Sequence, residues 1–183
     1  MNVILVAVVS LDGKLTRSMG SGSSTNIDDP DIYKWTSRED QDFFFGKIKN
    51  AKLIVMGSGT YEAVRDNLNF EKKDRLRIVL TKNTEKYKDQ EMPGVLEFRN
   101  QSLIDLYDSM IDHTEMLVVG GAKVYSSFMK EGLVDEIYLT MEPVIFGRGK
   151  PLFGEEFVAN LKLVSMKKLN SNGTLLFRYI VKR

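Results

Sequence analysis

The chain contains no cysteine and one histidine, His113. Without thiols there is no disulfide, no cysteine nucleophile and no cysteine-ligated metal. A single histidine also excludes a histidine-cluster zinc site. His113 lies between Asp112 and Thr114 at a predicted helix end and has no visible partner for a catalytic triad. An excess of either charge is missing too. The 26 basic and 25 acidic residues leave a net charge of +1, which gives no support for a nucleic-acid or membrane-surface partner. No apolar run approaches the ~18 residues of a membrane helix. The N-terminus lacks the charged region of a signal peptide and opens directly into a strand, so the expected setting is the cytoplasm. There is no repeat, low-complexity tract or linker. At 183 residues and 43% hydrophobic content, one domain over 1–183 with a substantial core is expected.

Two glycine pairs stand out: Gly57-Ser58-Gly59-Thr60 and Gly120-Gly121. Each follows an apolar, strand-like run, Leu53–Met56 and Met116–Val119. Each precedes a helix-compatible stretch, Tyr61–Arg65 and Ala122–Lys130. A strand, a glycine turn and a helix start present free backbone N–H groups to an anion. Two such turns predict a ligand with phosphates at two places, and a dinucleotide is the obvious candidate. Gly57-x-Gly59-x-x-Glu62 is not a full dinucleotide fingerprint, because Glu takes the third position. After the strand Arg77–Leu80 comes Thr81-Lys82-Asn83. A hydroxyl and a cation at that place suit a ribose 2′-phosphate better than a bare ribose, which favours NADPH over NADH.

The remaining pattern alternates strands and helices. Val3–Val9 is continuously apolar and β-branched and predicts a central strand buried on both faces. Ser18–Ser24 is a flexible loop, either a solvated surface loop or a lid beside a site. A helix is predicted from about residue 36 to Asn50, where Thr36 with Glu39 or Ser37 with Asp40 fits the capping box. Short strands follow at Arg77–Leu80 and Val95–Phe98. Ser102 caps a helix carrying Leu103, Leu106, Tyr107 and Met110 at helical spacing. Glu136–Glu142 is a strand closed by Pro143. Two strands, about 161–169 and 174–181, are joined through Asn172-Gly173, a strong hairpin signal. The sum is an α/β fold: a mixed, mostly parallel sheet of about eight strands, helices on both faces and an antiparallel C-terminal hairpin.

Asp40 is the best candidate for a catalytic or substrate-reading carboxylate. It lies five residues after Trp35 and four before Phe44. A carboxylate beside aromatics reads a flat heterocycle through paired hydrogen bonds, although Asp in a first helical turn also simply favours the helix dipole. Tyr125 faces either the ligand or the core. Phe146–Phe153, with two glycines and two cations, either cradles a phosphate or turns the chain.

The ordered set Ser10-Leu11-Asp12-Gly13-Lys14, Ser37-x-Glu39-Asp40, Val55-Met56-Gly57-x-x-Thr60-Tyr61-Glu62, Leu80-Thr81, Val119-Gly120-Gly121-x-x-Val124-Tyr125, Tyr138-Leu139-Thr140 and Pro151-Leu152-Phe153 resembles the dihydrofolate reductase superfamily. Nearest within it is the C-terminal reductase domain of the riboflavin-biosynthesis deaminase–reductase. The resemblance runs over about 1–181. It implies a dihydrofolate reductase-like three-layer sandwich, an NADPH-dependent oxidoreductase, a small-molecule substrate and a homodimer. It places the cofactor phosphates at Gly57, Ser58, Gly59 and Thr60, and the 2′-phosphate at Leu80, Thr81 and Lys82. The pyrophosphate and nicotinamide fall along Gly120, Gly121, Ala122, Lys123, Val124 and Tyr125. Substrate contacts fall to Val6, Ala7, Trp35, Asp40, Phe44 and Thr140, with Ala7 also near the nicotinamide.

Ser58 stands where many dihydrofolate reductases carry a basic residue, and Ala122 where they carry a third glycine. The stretch Ala63–Asn67 lacks the Asp-Asp-Pro segment usual in the riboflavin-type enzymes, and the zinc-binding deaminase half is absent. The expected acceptor is a phosphoribosylaminopyrimidine, with dihydrofolate as the alternative. A non-catalytic nucleotide-binding module and a plain α/β scaffold are the competing classes.

Overall fold

The computed structural model describes residues 1–17, 34–70 and 74–183; the expected Ser18–Ser24 loop lies outside them. Eight strands form one sheet: β1 (Asn2–Ser10), β3 (Leu53–Gly57), β4 (Leu76–Leu80), β5 (Leu96–Arg99), β6 (Glu115–Val118), β7 (Glu136–Glu142), β9 (Asn160–Lys168) and β10 (Leu175–Lys182). Their order is β5-β4-β3-β6-β1-β7-β10-β9. The first six run parallel, and β10 and β9 close the sheet antiparallel. A separate two-stranded ribbon pairs β2 (Lys14–Arg17) with β8 (Gly149–Pro151). The sequence reading anticipated neither ribbon strand, because three or four residues are too few to show a period.

β1 is buried along nearly its whole length because it lies between two parallel neighbours, β6 and β7. Parallel strands covered on both faces read as unbroken apolar runs, and this one does. Alternate β1 residues enter opposite cores. Val3, Leu5 and Ala7 pack with Leu106 of α3 (Leu103–Ser109) and with Tyr125, Phe128 and Met129 of α4 (Ala122–Lys130). Ile4 and Val6 pack on the other face, beneath Phe43, Phe44 and Ile48 of α1 (Arg38–Asn50) and Tyr61 of α2 (Ser58–Val64). Helices therefore cover both faces, as expected.

One local expectation needs correction. The first glycine turn is tighter than predicted. α2 begins at Ser58, so Gly59 is a helical residue and only Gly57 turns the chain. The hairpin joins its strands through Asn172-Gly173 as expected, β9 ending at Lys168 and β10 beginning at Leu175. The Asn170 side chain accepts from the N–H groups of Gly173 and Thr174 (both 3.2 Å) and shapes the loop. α1 ends without a glycine. Buried Arg75 donates to the carbonyls of Lys49 and Ala51 (2.9 Å each) and satisfies acceptors the helix leaves open. Among the described residues no helix is long and apolar enough to cross a membrane.

Candidate active site at the carboxyl edge of the sheet

All six parallel strands end on the same edge of the sheet, where ligands of open α/β folds sit. The two glycine turns meet there. The Gly57 N–H donates to the Gly120 carbonyl (2.7 Å), and the Val119 N–H donates to the Val55 carbonyl (3.0 Å). The Gly120–Gly121 peptide is cis. The turns are so close that side chains would collide. A Cβ on Gly57 would lie 2.9 Å from Val124 Cγ2, and one on Gly121 would lie 3.2 Å from Thr60 Oγ1. Gly120 adopts φ +114°, and its Cβ would lie 3.2 Å from the Tyr125 hydroxyl. Neither α2 nor α4 carries a side-chain cap at its start, so the first-turn N–H groups of α4, in Ala122, Lys123 and Val124, have no capping side chain. Gly59 is exposed with open space around it. Leu80 ends β4, followed by half-buried Thr81 and exposed Lys82. Lys82 has no ion pair among the described residues.

Tyr125 belongs to the core and to the site at once. Pairing of β1 with β6 stops at Leu5–Val118, so the Val6 carbonyl faces a gap in the ladder. The buried Tyr125 hydroxyl fills it, donating to that carbonyl at 2.6 Å. Burial pushes its phenol well above the usual range, so it remains a donor. Tyr125→Phe is expected to cost about 1–3 kcal/mol, the price of an unsatisfied buried carbonyl; thermal unfolding checks this.

The other half of the site lies around the start of α1. Ser37 is the N-cap, and its hydroxyl accepts from the Asp40 N–H (3.3 Å). Asp40 does not complete a capping box. Its side chain is 5% exposed and hydrogen-bonds the buried Thr140 hydroxyl of β7. Burial pushes its carboxyl up to about 6; the Thr140 hydrogen bond opposes this and the negative charge of Glu142 adds to it. Val6 and Ala7 are both buried but point to opposite faces of β1, Val6 toward α1 and Ala7 toward Tyr125. Phe44 packs on the α1 side. Trp35 sets its ring edge-on to Phe146 at 5.0 Å. It lines a cavity of about 250 Å³ together with Ser37, Glu142, Asn170 and Thr174.

The segment from Phe146 does not offer its backbone to a phosphate. The N–H groups of Phe146 (3.1 Å) and Gly147 (2.9 Å) already donate to the Asp12 carboxylate, which also accepts from Ser10 Oγ (2.6 Å). Those hydrogen bonds hold Asp12 below the usual carboxylate range. Residues 149–151 join the ribbon.

Glu142 was not singled out from the sequence. The signal was there: Thr140 and Glu142 lie two apart on one strand and so share a face. Ser126 was missed as well. Its buried hydroxyl donates to the Ala122 carbonyl and accepts from the N–H groups of Gly154 (2.8 Å) and Glu155 (3.2 Å). Among the described residues no cluster of three metal-ligating side chains exists.

Comparison with known proteins agrees with this architecture. Residues 1–175 match the RibD C-terminal domain. The uncharacterized protein YwjB of Bacillus subtilis (strain 168) is 28% identical over 175 residues, covering 95% of this chain and 91% of its own. A putative riboflavin biosynthesis protein from Shewanella sp. PV-4 superposes with a TM-score of 0.71 at 22% identity, covering 100% of both chains. The diaminohydroxyphosphoribosylaminopyrimidine deaminase/5-amino-6-(5-phosphoribosylamino)uracil reductase of Thermotoga maritima gives 0.71 at 18% identity, with 99% of this chain covering 56% of that one. At those identities the two structures establish the shared fold. Matched over almost its whole length, the chain belongs to the RibD C-terminal domain family.

Proposed function

We propose that this protein is an NADPH-dependent reductase that delivers hydride to a phosphoribosylaminopyrimidine or a closely related heterocycle. The RibD-like domain marks an oxidoreductase, and the family implies a nicotinamide cofactor. The residues at the carboxyl edge fit such a group. Gly57, Gly120 and Gly121 leave no room for a Cβ against Val124, Tyr125 and Thr60, which lets the two turns close on one another and brings Thr60 and the start of α4 to one place on this edge. α4 offers an uncapped start, while Thr60, Thr81 and Lys82 supply hydroxyls and a cation for phosphates. When bound, the cofactor supplies the hydride.

The chain's own part is positioning and proton control. Asp40, buried beside Thr140, is the observation that supports this reading most. A carboxyl near 6 passes between its protonated and ionised forms close to neutral pH, which suits a group that orients a heterocycle and favours its protonated form. The apolar residues around it, Val6 and Phe44, exclude water from the acceptor. Thr140 holds the carboxyl's direction. No nucleophile or metal is required by this chemistry.

Steady-state assays following NADPH absorbance test the proposal with two acceptors, the phosphoribosylaminopyrimidine and dihydrofolate. Oxidation with the first supports it. Oxidation with dihydrofolate alone selects the alternative suggested by the Trp35–Asp40–Phe44 spacing. Cofactor binding without turnover on either leaves a non-catalytic nucleotide-binding module. Lys82→Ala is expected to weaken NADPH about tenfold while leaving NADH unchanged, as removal of one phosphate contact would; equal weakening of both cofactors refutes the 2′-phosphate role of Lys82.

A further inference from the structure

Glu142 ends β7, two residues beyond Thr140, and is 3% exposed. Its Oε1 accepts from both the N–H and the hydroxyl of Ser37 (2.7 Å each). Its Oε2 accepts from the Thr174 hydroxyl at 2.6 Å, and that hydroxyl accepts from Asn170 Nδ2 at 2.9 Å. Ser37 in turn caps Asp40. One carboxylate therefore ties the end of β7 and the β9–β10 loop to the residue from which Asp40 is suspended. No lysine or arginine forms an ion pair with Glu142 among the described residues.

We infer that Glu142 is a positioning residue for Asp40, holding the start of α1 in place and setting the electrostatic field at the Asp40 carboxyl. Toward Ser37 the hydrogen-bonding work does not need a charge, since a neutral glutamine accepts there equally well; toward Thr174 it would present an amide N–H₂ where the glutamate accepts. Burying a carboxylate is costly, and the start of α1 offsets part of that cost through its dipole. What a glutamate adds is an acceptor for Thr174 and a negative charge beside Asp40. Among the described residues, β7 contributes Thr140 and Glu142 to the surroundings of Asp40, and the β1 residue beside Thr140 is the apolar Val8. On α1 itself, Glu39 turns away to accept from Asn170 (3.1 Å). Among the described residues, Glu142 is thus the charge that acts on Asp40 from outside its own helix, and it acts to keep the proton on.

The inference rests on the proposed role of Asp40, and its test separates the two. The Asp40 side-chain carboxyl is followed by ¹³C NMR against pH in the wild type, Glu142→Gln and Ser37→Ala, with Asp40→Asn assigning the signal. Glu142→Gln keeps an acceptor for Ser37 and removes the charge. Its Asp40 midpoint is expected to fall by about half a pH unit or more, and the acid limb of kcat/KM to move with it. Ser37→Ala keeps the charge and loosens the tether. Its midpoint stays, while kcat drops about tenfold from misplacement.

A folded Glu142→Gln protein whose midpoint is unmoved overturns the inference, as does a Ser37→Ala protein with unchanged kcat. Should Glu142→Gln not fold, Glu142→Asp takes its place: it keeps the charge and shortens the reach to Ser37, so a lowered kcat with the Asp40 midpoint near that of the wild type is expected, and a midpoint that falls by about half a pH unit or more overturns the inference. Full turnover by Asp40→Asn would instead sink the role of Asp40, leaving the NMR result to judge Glu142 on its own.

Discussion

Asp40→Asn is expected to lower turnover about 100-fold or more while making the protein more stable above neutral pH. The two effects have one cause. In the folded chain the Asp40 carboxyl is pushed from 3.8 to about 6, first by burial, with Thr140 opposing and Glu142 adding. Between those values the folded protein holds a proton that the unfolded chain has released. Stability therefore falls as pH rises through that window. The favourable contribution is complete below 3.8 and lost as pH passes about 6. At pH 8 the buried carboxylate costs about 3 kcal/mol. Asparagine carries no such cost and still bonds Thr140, so a gain of about 1–3 kcal/mol follows, or ~3–9 °C in Tm for a chain of this size. Its pH slope between 4 and 6 should flatten as well.

Turnover is lost because an amide neither holds a proton for the acceptor nor favours the acceptor's protonated form. NADPH affinity, which we propose is set at the glycine turns, is expected to change little. Thermal unfolding from pH 4 to 8 and steady-state kinetics check both halves. Equal loss of turnover and cofactor affinity, or a destabilised variant with the wild-type pH slope, refutes the assignment.

Gly120→Ala is expected to damage both stability and cofactor binding. Gly120 sits at φ +114°, a conformation that L side chains rarely adopt, and its new Cβ would lie 3.2 Å from the Tyr125 hydroxyl and 3.3 Å from Cζ. Backbone strain of about 1–3 kcal/mol combines with displacement of Tyr125 from the Val6 carbonyl, worth about as much. A loss of ~3–5 kcal/mol lowers Tm by ~6–20 °C. Since the same turn adjoins the start of α4, cofactor affinity should fall about 100-fold. Gly59→Ala is the control. Gly59 lies within α2 with nothing around its Cβ position, so alanine there stabilises by about 0.4–1 kcal/mol. Melting curves of the two variants shift in opposite directions if the geometry is right, and NADPH titrations read the affinity loss of Gly120→Ala. Similar damage from both would mean that the two glycines serve one turn.

Much of this architecture was legible in the residues because it depends on short range. The apolar run of β1, the glycine turns at residues 57 and 120–121 and the Ser37 cap each lie within a few residues of chain. Period and local backbone freedom determine such features. The motif order along the chain pointed to the family, and residues 1–175 bear it out. Other features were legible only in part. Asn172-Gly173 marked the turn, and Asn170 shapes it by accepting from the N–H groups of Gly173 and Thr174. Gly59 looked like part of a turn and is helical, since a glycine need not use its freedom.

Tertiary structure alone decided which groups meet. Asp40 and Glu142 are 102 residues apart, Asp12 and Gly147 are 135 apart, and Tyr125 reaches Val6 across 119. No period spans such distances. Those contacts follow from strand order and register, above all from β6 and β7 flanking β1. The residues by themselves determined that a pair of glycine turns and a carboxylate exist. Burial against Thr140 and Glu142 turned that carboxylate from a helix-start residue into a group that titrates near neutral pH, because desolvation and charge act through space and not along the chain.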